Sequence, residues 1–423
     1  MINFNKQSNL LIRSSRLKKR YKEYDLLILG IPSLLVILGT CLIASTQRQV
    51  ELANWYDQLI TALIGIVLAL FIAKTPLDRI RNYLFPIYFS TIILLLLVSI
   101  FGTSAFGAQR WLSIFGLNIQ PSEIAKITSI IVLAGVLDSE NIDKPEKLLK
   151  PIGIVFIPWT LVFLQPDLGT SLVFGSFLLV MLYWSGMPYE WGLICLSFLV
   201  TAILSGVFKI SLILWIPFLG VLAFRSLPRK IISTAIITFS QLFIAIFTPW
   251  LWENVLRDYQ RDRISLFIDP SKDPLGGGYH LIQSQIGIGS GGLFGSGLFN
   301  GQLTKLKFIP EQHTDFIFSA LGEETGFLGS IFVIVAFFFL ALKLLKLSKS
   351  ARTNFESLVV VGITSMFIFQ VVVNIFMNIG LGPVTGIPLP FLSYGRTALI
   401  VNFVSLGFCL SVARRSSSLS KGL

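Results

Sequence analysis

Long apolar runs constrain this chain more than any other feature of its sequence. A helix needs about 20 apolar residues to cross a bilayer, and about twelve segments approach that length. They run roughly over residues 26–46, 58–74, 82–102, 121–138, 151–165, 168–186, 190–208, 210–226, 230–249, 326–346, 356–378 and 397–414. Charged residues make up only 13% of the chain, about half the share in a soluble domain. The sequence therefore predicts an all-α integral membrane protein, a polytopic bundle of about 10–12 transmembrane helices with a long extracytoplasmic loop.

Basic residues fall in every second connection between the apolar runs. The connections at 77–82, 143–150, 225–230 and 343–352 each carry lysines or arginines, as do both ends of the chain. Because cytoplasmic loops are enriched in these residues, we expect both termini to be cytoplasmic. The predicted parts are a basic N-terminal tail (1–24), a transmembrane domain (25–415) that includes an outer loop (250–325), and a C-terminal tail (416–423). The net charge of +12 fits this pattern, and because no soluble segment carries a basic stripe interleaved with aromatic residues, no nucleic-acid partner is expected.

The long outer loop carries most of the polar chemistry. It holds both histidines, His280 and His313, and the carboxylates of Asp269 and Asp273. A long structured loop is more often functional than filler. The arginines and lysines of this loop depart from the rule that basic residues lie in cytoplasmic loops. An anionic ligand at the outer leaflet would explain them, although long loops also tolerate any charge. The histidines and carboxylates match no zinc spacing, so a loosely held divalent cation is the metal that we consider.

Three glycines follow Asp273-Pro274-Leu275, and glycines recur at 287–297. The run Gly276–Gly278 lets a loop move or lets the backbone approach a ligand, and a simple tight turn is the alternative. The second segment contains the pattern GxGxxG. No strand precedes it and no GK[ST] follows it, so no nucleotide cofactor is expected.

Charged residues also interrupt the apolar context. Glu123 and Lys126 are three residues apart at the start of a predicted span and share one helix face. Asp167 stands in QPDLGTS, between two predicted spans. Such charges mark a pathway or a site by default, and a salt bridge that fixes helix packing is compatible with that function.

Five segments in this order resemble one family, the SEDS proteins of shape, elongation, division and sporulation. The segments are GAQRWLSIFGLNIQPSEIAK, QPDLGTS, DPLGGGYHLIQSQIGIGSGGLFGSG, EQHTDFIFSALGEETGFLG and GIPLPFLSYGR. The resemblance covers residues from about 25 to 415. QPDLG, GGGYHLIQS and EQHTDFIF are more similar to RodA, the elongation member, than to FtsW, the division member.

The resemblance implies a peptidoglycan glycosyltransferase that polymerises lipid II at the outer face of the bacterial cytoplasmic membrane, during cell elongation and cell-shape maintenance. The partners that it implies are lipid II, the nascent glycan strand, membrane lipids and a class B penicillin-binding protein that acts as transpeptidase. A divalent cation, Mg²⁺ or Mn²⁺, is the cofactor that we consider for the leaving pyrophosphate, and its ligands are not assigned.

The resemblance also carries site residues onto this chain. The carboxylate of the DPxGxGY motif is Asp273, which implies a catalytic general base. The residues assigned to substrate binding are Arg110, Trp111, Lys126, Asp167, Tyr279, Gln283, His313 and Ser393.

Two features depart from the family pattern. The usual chain has ten spans, whereas 187–249 is long enough here for an extra helix pair. Arg396 adds a cation after Ser393-Tyr394-Gly395, which leaves the geometry of that part of the site open. The alternatives are a flippase for lipid-linked precursors, an FtsW-like division polymerase, and a non-enzymatic scaffold that recruits cell-wall synthases.

Overall fold

Helices account for nearly all regular structure in the described part of the chain. The computed structural model describes residues 26–46, 54–105, 108–114, 117–139, 142, 144–254, 261, 266–267, 277–306 and 311–419. The helices are α1 (Leu26–Thr46), α2 (Trp55–Ile72), α3 (Leu77–Arg81), α4 (Leu84–Phe101), α5 (Pro121–Ser139), α6 (Leu149–Leu164), α7 (Leu168–Trp184), α8 (Tyr189–Val207), α9 (Leu212–Ser226), α10 (Lys230–Asn254), α11 (Gly277–Ser290), α12 (Gln302–Leu306), α13 (Ile317–Lys349), α14 (Asn354–Asn378) and α15 (Arg396–Leu419). Short 3₁₀ turns precede α6 at Pro145–Leu148 and α9 at Lys209–Ser211.

Among the described residues, ten helices are long and apolar enough to cross a membrane. They are α1, α2, α4, α6, α8, α9, α10, α13, α14 and α15. Two more bundle helices are α7, which is shorter and apolar, and α5, which contains Glu123 and Lys126. The chain is a multi-pass membrane protein, and the predicted helical bundle is confirmed.

The longest connections contain structure that the apolar runs did not predict. A small antiparallel sheet of β1 (Thr103–Ala105), β2 (Ala108–Ile114) and β3 (Leu117–Ile119) lies between α4 and α5, in strand order β1-β2-β3. The predicted span at 326–346 covers the second part of α13. Helix α13 starts at Ile317 and has non-helical backbone at Gly326, whose φ is 66°. The polar residues before Gly326 form a first helical segment that hydropathy did not predict.

The region of the predicted extra helix pair contains three helices, which short turns separate. Helices α8, α9 and α10 pack on one another, and α8 joins this group of three helices to α7. Gln241 is fully buried between them. Its amide nitrogen donates to Ser197 Oγ at 2.6 Å, Thr201 Oγ1 donates to its amide oxygen, and Trp215 Nε1 donates to Thr201 Oγ1 at 3.0 Å.

Ion pairs gather at one end of the bundle, which we call the basic face. Arg81 pairs with Asp138 at 2.7 Å, and Arg415 pairs with Asp78 at 2.8 Å and with Glu356 at 3.0 Å. These residues lie at ends of α3, α5, α14 and α15. The distribution of basic residues in the sequence predicts that these helix ends lie on the same side of the membrane. The opposite end, which we call the site face, carries the sheet, α11, α12 and residues 379–395.

Helices α5, α7, α14 and α15 form the centre of the bundle. Most residues of α14 and α5 are buried, and α14 packs against α5, α7, α13 and α15. Helix α15 packs most extensively against α2. The two approach closely because Gly65 lies against the Phe403 ring and Gly407 lies against the Ala69 backbone. The predicted site residues Lys126, on α5, and Asp167 and Ser393, just before α7 and α15, are therefore attached to these central helices.

Candidate functional site at one face of the bundle

Arg110 and Asp167 meet at the site face. Arg110 lies in β2, and its Nη1 is 3.8 Å from Asp167 Oδ1, while its Nη2 donates to the Pro166 carbonyl oxygen. Trp111 follows Arg110 in the strand, is half-buried, and pairs with Thr103 of β1. The hairpin thus brings a cation and an aromatic ring to the start of α7.

Asp167 is the N-cap of α7. Its carboxylate accepts from Thr170 N at 3.2 Å and from Thr170 Oγ1 at 3.0 Å, and Gln120 Nε2 donates to it at 3.3 Å. Asp167 is only 3% exposed, so these partners and Arg110 offset the cost of burying its charge. The expected intramembrane charge therefore has a structural function in addition to the predicted substrate contact.

Glu123 and Lys126 form the predicted ion pair inside α5. Lys126 Nζ lies 2.7 Å from Glu123 Oε1, and both side chains are almost fully buried. An ammonium group has three N–H donors, and Glu123 takes one of them. The arrangement leaves Lys126 able to bind a further polar group.

Tyr279 and Gln283 lie on α11, and both are half-buried. This helix packs mainly against α13 and also against α14. Between these helices, Ser284 Oγ donates to Asn378 O at 2.9 Å, and Ser319 Oγ donates to Ser284 O at 3.1 Å. Asp273, the predicted catalytic residue, and Asp269 lie outside the described residues.

His313 and Ser393 belong to two segments that are joined at the site face. Tyr394 N donates to His313 O at 2.9 Å, and the two rings are 5.9 Å apart. Ser393 is buried, and its hydroxyl oxygen accepts from Leu389 N at 2.8 Å. Gln58 of α2 donates to the Ser393 carbonyl oxygen at 3.1 Å. The Ser393 hydroxyl therefore closes a local turn, a function that the sequence did not indicate.

One hydroxyl connects the sheet to α15. Thr397 Oγ1 accepts from Gln120 N at 3.3 Å and donates to Asn118 O at 3.2 Å. Since Gln120 also reaches Asp167, this contact links the Arg110–Asp167 pair to the segment of Ser393. The structure brings these two groups to one surface, whereas Lys126 lies within the bundle and Tyr279 lies on α11.

Two glutamates at the end of the predicted outer loop bind groups of the protein itself. Glu323 accepts from Leu303 N at 2.8 Å, Thr304 N at 2.9 Å and Thr304 Oγ1 at 2.6 Å. Glu324 accepts from Phe299 N at 3.1 Å and from Ser45 Oγ. Within the described residues, no three His, Cys, Asp or Glu side chains group together as metal ligands. These glutamates fix the loop before α13.

Two of the glycines of 287–297 have a packing explanation. A Cβ on Gly295 would lie 2.2 Å from Glu324 O, and one on Gly291 would lie 2.0 Å from Gly322 O. The backbones pair here, since Phe327 N donates to Gly292 O at 2.9 Å. Gly291 and Gly295 thus permit close backbone contact around the bend of α13, whereas a Cβ on Gly289 or Gly292 of the GxGxxG pattern would meet nothing within 4 Å.

A family model described as "Cell cycle protein", that of FtsW, RodA and SpoVE, matches residues 23–215 and 208–418. The chain belongs to the FtsW/RodA/SpoVE family. The predicted family is confirmed.

Relatives with assigned names fit this family. The chain is 36% identical over 364 residues to the peptidoglycan glycosyltransferase MrdB of Escherichia coli K12, covering 85% of each chain. It is 30% identical to the peptidoglycan glycosyltransferase RodA of Treponema pallidum, covering 93% of this chain and 98% of that one. It is also 30% identical to a probable FtsW of Trichlorobacter lovleyi, covering 93% and 94% of the two chains.

Solved structures share the fold of this family member. One chain comes from a peptidoglycan synthase complex, described for the structural coordination of polymerization and crosslinking. It is 26% identical with a TM-score of 0.70 and covers 93% of this chain and 98% of its own. The crystal structure of Thermus thermophilus RodA has a TM-score of 0.61 at 24% identity, covering 92% and 97% of the two chains, and it shows the fold alone. The assigned functions of Arg110, Lys126 and Tyr279 stay predictions.

Proposed function

We propose that this chain is a RodA-like peptidoglycan glycosyltransferase, which polymerises lipid II into glycan strands during cell elongation and cell-shape maintenance. The observation that carries this function is the match to MrdB of Escherichia coli over 85% of both chains. The names of the MrdB and RodA relatives agree with the predicted activity. The site face is the outer face of the bacterial cytoplasmic membrane in this proposal, and both termini are cytoplasmic.

The chemistry of the site face suits such a substrate. Lipid II combines a polyprenyl chain, a pyrophosphate and two sugars. The apolar sides of the bundle accommodate the lipid chain, Arg110 is a cation for the pyrophosphate, and Trp111 offers a ring for a sugar. Because Asp167 partly neutralises Arg110, the guanidinium is held in place before substrate arrives, and its remaining N–H groups stay available for an anion.

Asp273 acts as the general base in the proposed reaction. It takes the proton from the 4-hydroxyl of the acceptor sugar while that oxygen attacks the anomeric carbon of the donor. The bond from that carbon to the pyrophosphate breaks, and polyprenyl pyrophosphate leaves. A positioned base typically contributes about 10²–10⁴-fold, and charge stabilisation of the leaving group contributes as much or more.

A divalent cation remains part of the proposal. Mg²⁺ or Mn²⁺ would neutralise the leaving pyrophosphate when bound. The described residues offer no group of three ligands, so no step is derived through the ion. A class B penicillin-binding protein is the proposed partner. The likeness to a chain from a synthase complex that coordinates polymerization and crosslinking supports this pairing.

The experiment that tests the function is lipid II polymerisation by the purified protein, alone and with its transpeptidase. We compare native protein with Asp273→Ala, and Asp269→Ala serves as the matched control in the same loop. We expect glycan strands from native protein and from Asp269→Ala, and a loss of at least about 100-fold for Asp273→Ala. Polymerisation by Asp273→Ala at the native rate would rule out the mechanism, and transport of fluorescent lipid II across vesicles would then test the flippase.

A further inference from the structure

Two helices that begin at the site face are joined by an ion pair. Arg396, the first residue of α15, contacts Asp57 in the first turn of α2. A carboxylate suits a helix start, whereas a cation there opposes the helix dipole. Arg396 therefore costs stability at this position unless a partner compensates it, and Asp57 is that partner.

The pair surrounds the segment that carries Ser393. The Tyr394 hydroxyl interacts with both Arg396 and Asp57, and burial raises the pKa of this phenol. The next residue of α2, Gln58, donates to Ser393 O at 3.1 Å. Asp57 and Gln58, which are consecutive residues of α2, thus hold the two ends of the segment 393–396.

The same segment orients His313. The Tyr394 backbone nitrogen donates to His313 O at 2.9 Å, and the Tyr394 ring packs 5.9 Å from the imidazole. A shift of Tyr394 would therefore move both predicted substrate contacts, His313 and Ser393, relative to the bundle.

We propose that Asp57 and Arg396 are a positioning pair, which fixes Tyr394 and thereby sets His313 and Ser393 for binding lipid II. This inference rests on the proposed function. The pair is partly exposed, with side chains 41% (Arg396) and 20% (Asp57) accessible, so it contributes little to global stability. Its effect is local: a displacement of about 1 Å in a binding group can change kcat/KM by up to about 100-fold.

The test compares three variants of the full-length protein: Arg396→Gln, Arg396→Asp, and Arg396→Asp combined with Asp57→Arg. Lipid II polymerisation with the transpeptidase gives kcat and the apparent KM. We expect the single variants to raise KM about tenfold with kcat changed less than about twofold, since they weaken substrate binding without altering the reacting groups. The charge-swapped double variant should return to within about threefold of native KM.

A matched control comes from the basic face. Arg81 pairs with Asp138 at 2.7 Å with comparable exposure, 45% and 12%, so Arg81→Gln removes a similar pair far from the site face. We expect it to leave KM and kcat at native values. If Arg396→Gln lowers kcat alone, by reducing the fraction of folded enzyme, the pair merely supports the fold and the inference is wrong.

Hydrogen exchange separates this inference from the proposed function. In Arg396→Gln we expect faster amide exchange in residues 389–396 and 311–316, and recovery in the charge-swapped variant. Unchanged exchange there overturns the positioning pair, whatever the polymerase assay gives. A different outcome is that native protein fails to polymerise lipid II while the amide exchange of the variants changes as expected. This outcome overturns the proposed function and the link to lipid II, and it leaves the structural coupling established.

Discussion

The buried ion pair of α5 gives the sharpest test of how this bundle holds charge. Lys126 is 1% and Glu123 is 3% exposed at the side chain. Removing one partner of a buried pair leaves an uncompensated charge, which typically costs about 3–5 kcal/mol. We therefore expect Lys126→Met, which keeps the length of the side chain, to lower the free energy of unfolding by about that amount.

The double variant Glu123→Leu with Lys126→Met removes both charges. Replacing a whole buried pair by apolar residues of similar volume is often neutral or stabilising. We expect the double variant to recover at least about 2 kcal/mol of the loss in the single variant, by the same reasoning. Unfolding would be followed in mixed detergent micelles, with tryptophan fluorescence as the signal.

Polymerisation of lipid II then separates structure from function. A double variant that is stable and inactive means that Lys126 acts on the substrate, as predicted. A double variant that is stable and active means that the pair serves packing alone. The electrostatic reasoning itself is refuted if Lys126→Met unfolds at the same denaturant concentration as native protein.

Two further predictions concern packing away from the ion pair. Gly295→Ala places a Cβ 2.2 Å from Glu324 O at a φ of +78°, so we expect the free energy of unfolding to fall by at least about 1–2 kcal/mol. Gly289→Ala is the control, because a Cβ there meets nothing within 4 Å. Equal unfolding curves for the two variants would contradict the prediction. Gln241→Leu removes two buried hydrogen bonds, each worth about 0.6 kcal/mol on average in a membrane bundle. We expect the free energy of unfolding to fall by about 1 kcal/mol, together with faster amide exchange confined to α8, α9 and α10. Amide exchange that rises equally in α14 would show that these three helices are not a separate packing group.

The sequence could predict the bundle because apolar runs report burial in lipid directly. The pairing of Glu123 with Lys126 was predictable too, since three residues on a helix bring side chains to one face. The start of α13 was not predictable from hydropathy. Its first turns contain Glu323 and Glu324, whose partners lie in 299–304 and in α1, and only tertiary contacts identify carboxylates as loop anchors.

The candidate site divides in the same way. Family motifs identified Arg110, Asp167 and His313, whereas the local functions of these residues depend on contacts between distant segments. Asp57 gave no signal beyond a single charge near an apolar run. Its importance depends on Arg396, more than three hundred residues further along the chain, and one sequence contains no pattern that joins them.

The bundle holds α11, the described helix that follows Asp273 in the sequence. Helix α11 is bonded to α13 and α14 through Ser284. Further along, Glu323 and Glu324 bind the backbone of 299–304, and Asn374 of α14 donates to Asp315 O at 2.9 Å. These contacts from α13 and α14 thus constrain the described residues that follow the predicted general base. Because a general base must lie within hydrogen-bonding distance of the proton that it removes, changes in α13 and α14 that never touch substrate should alter kcat.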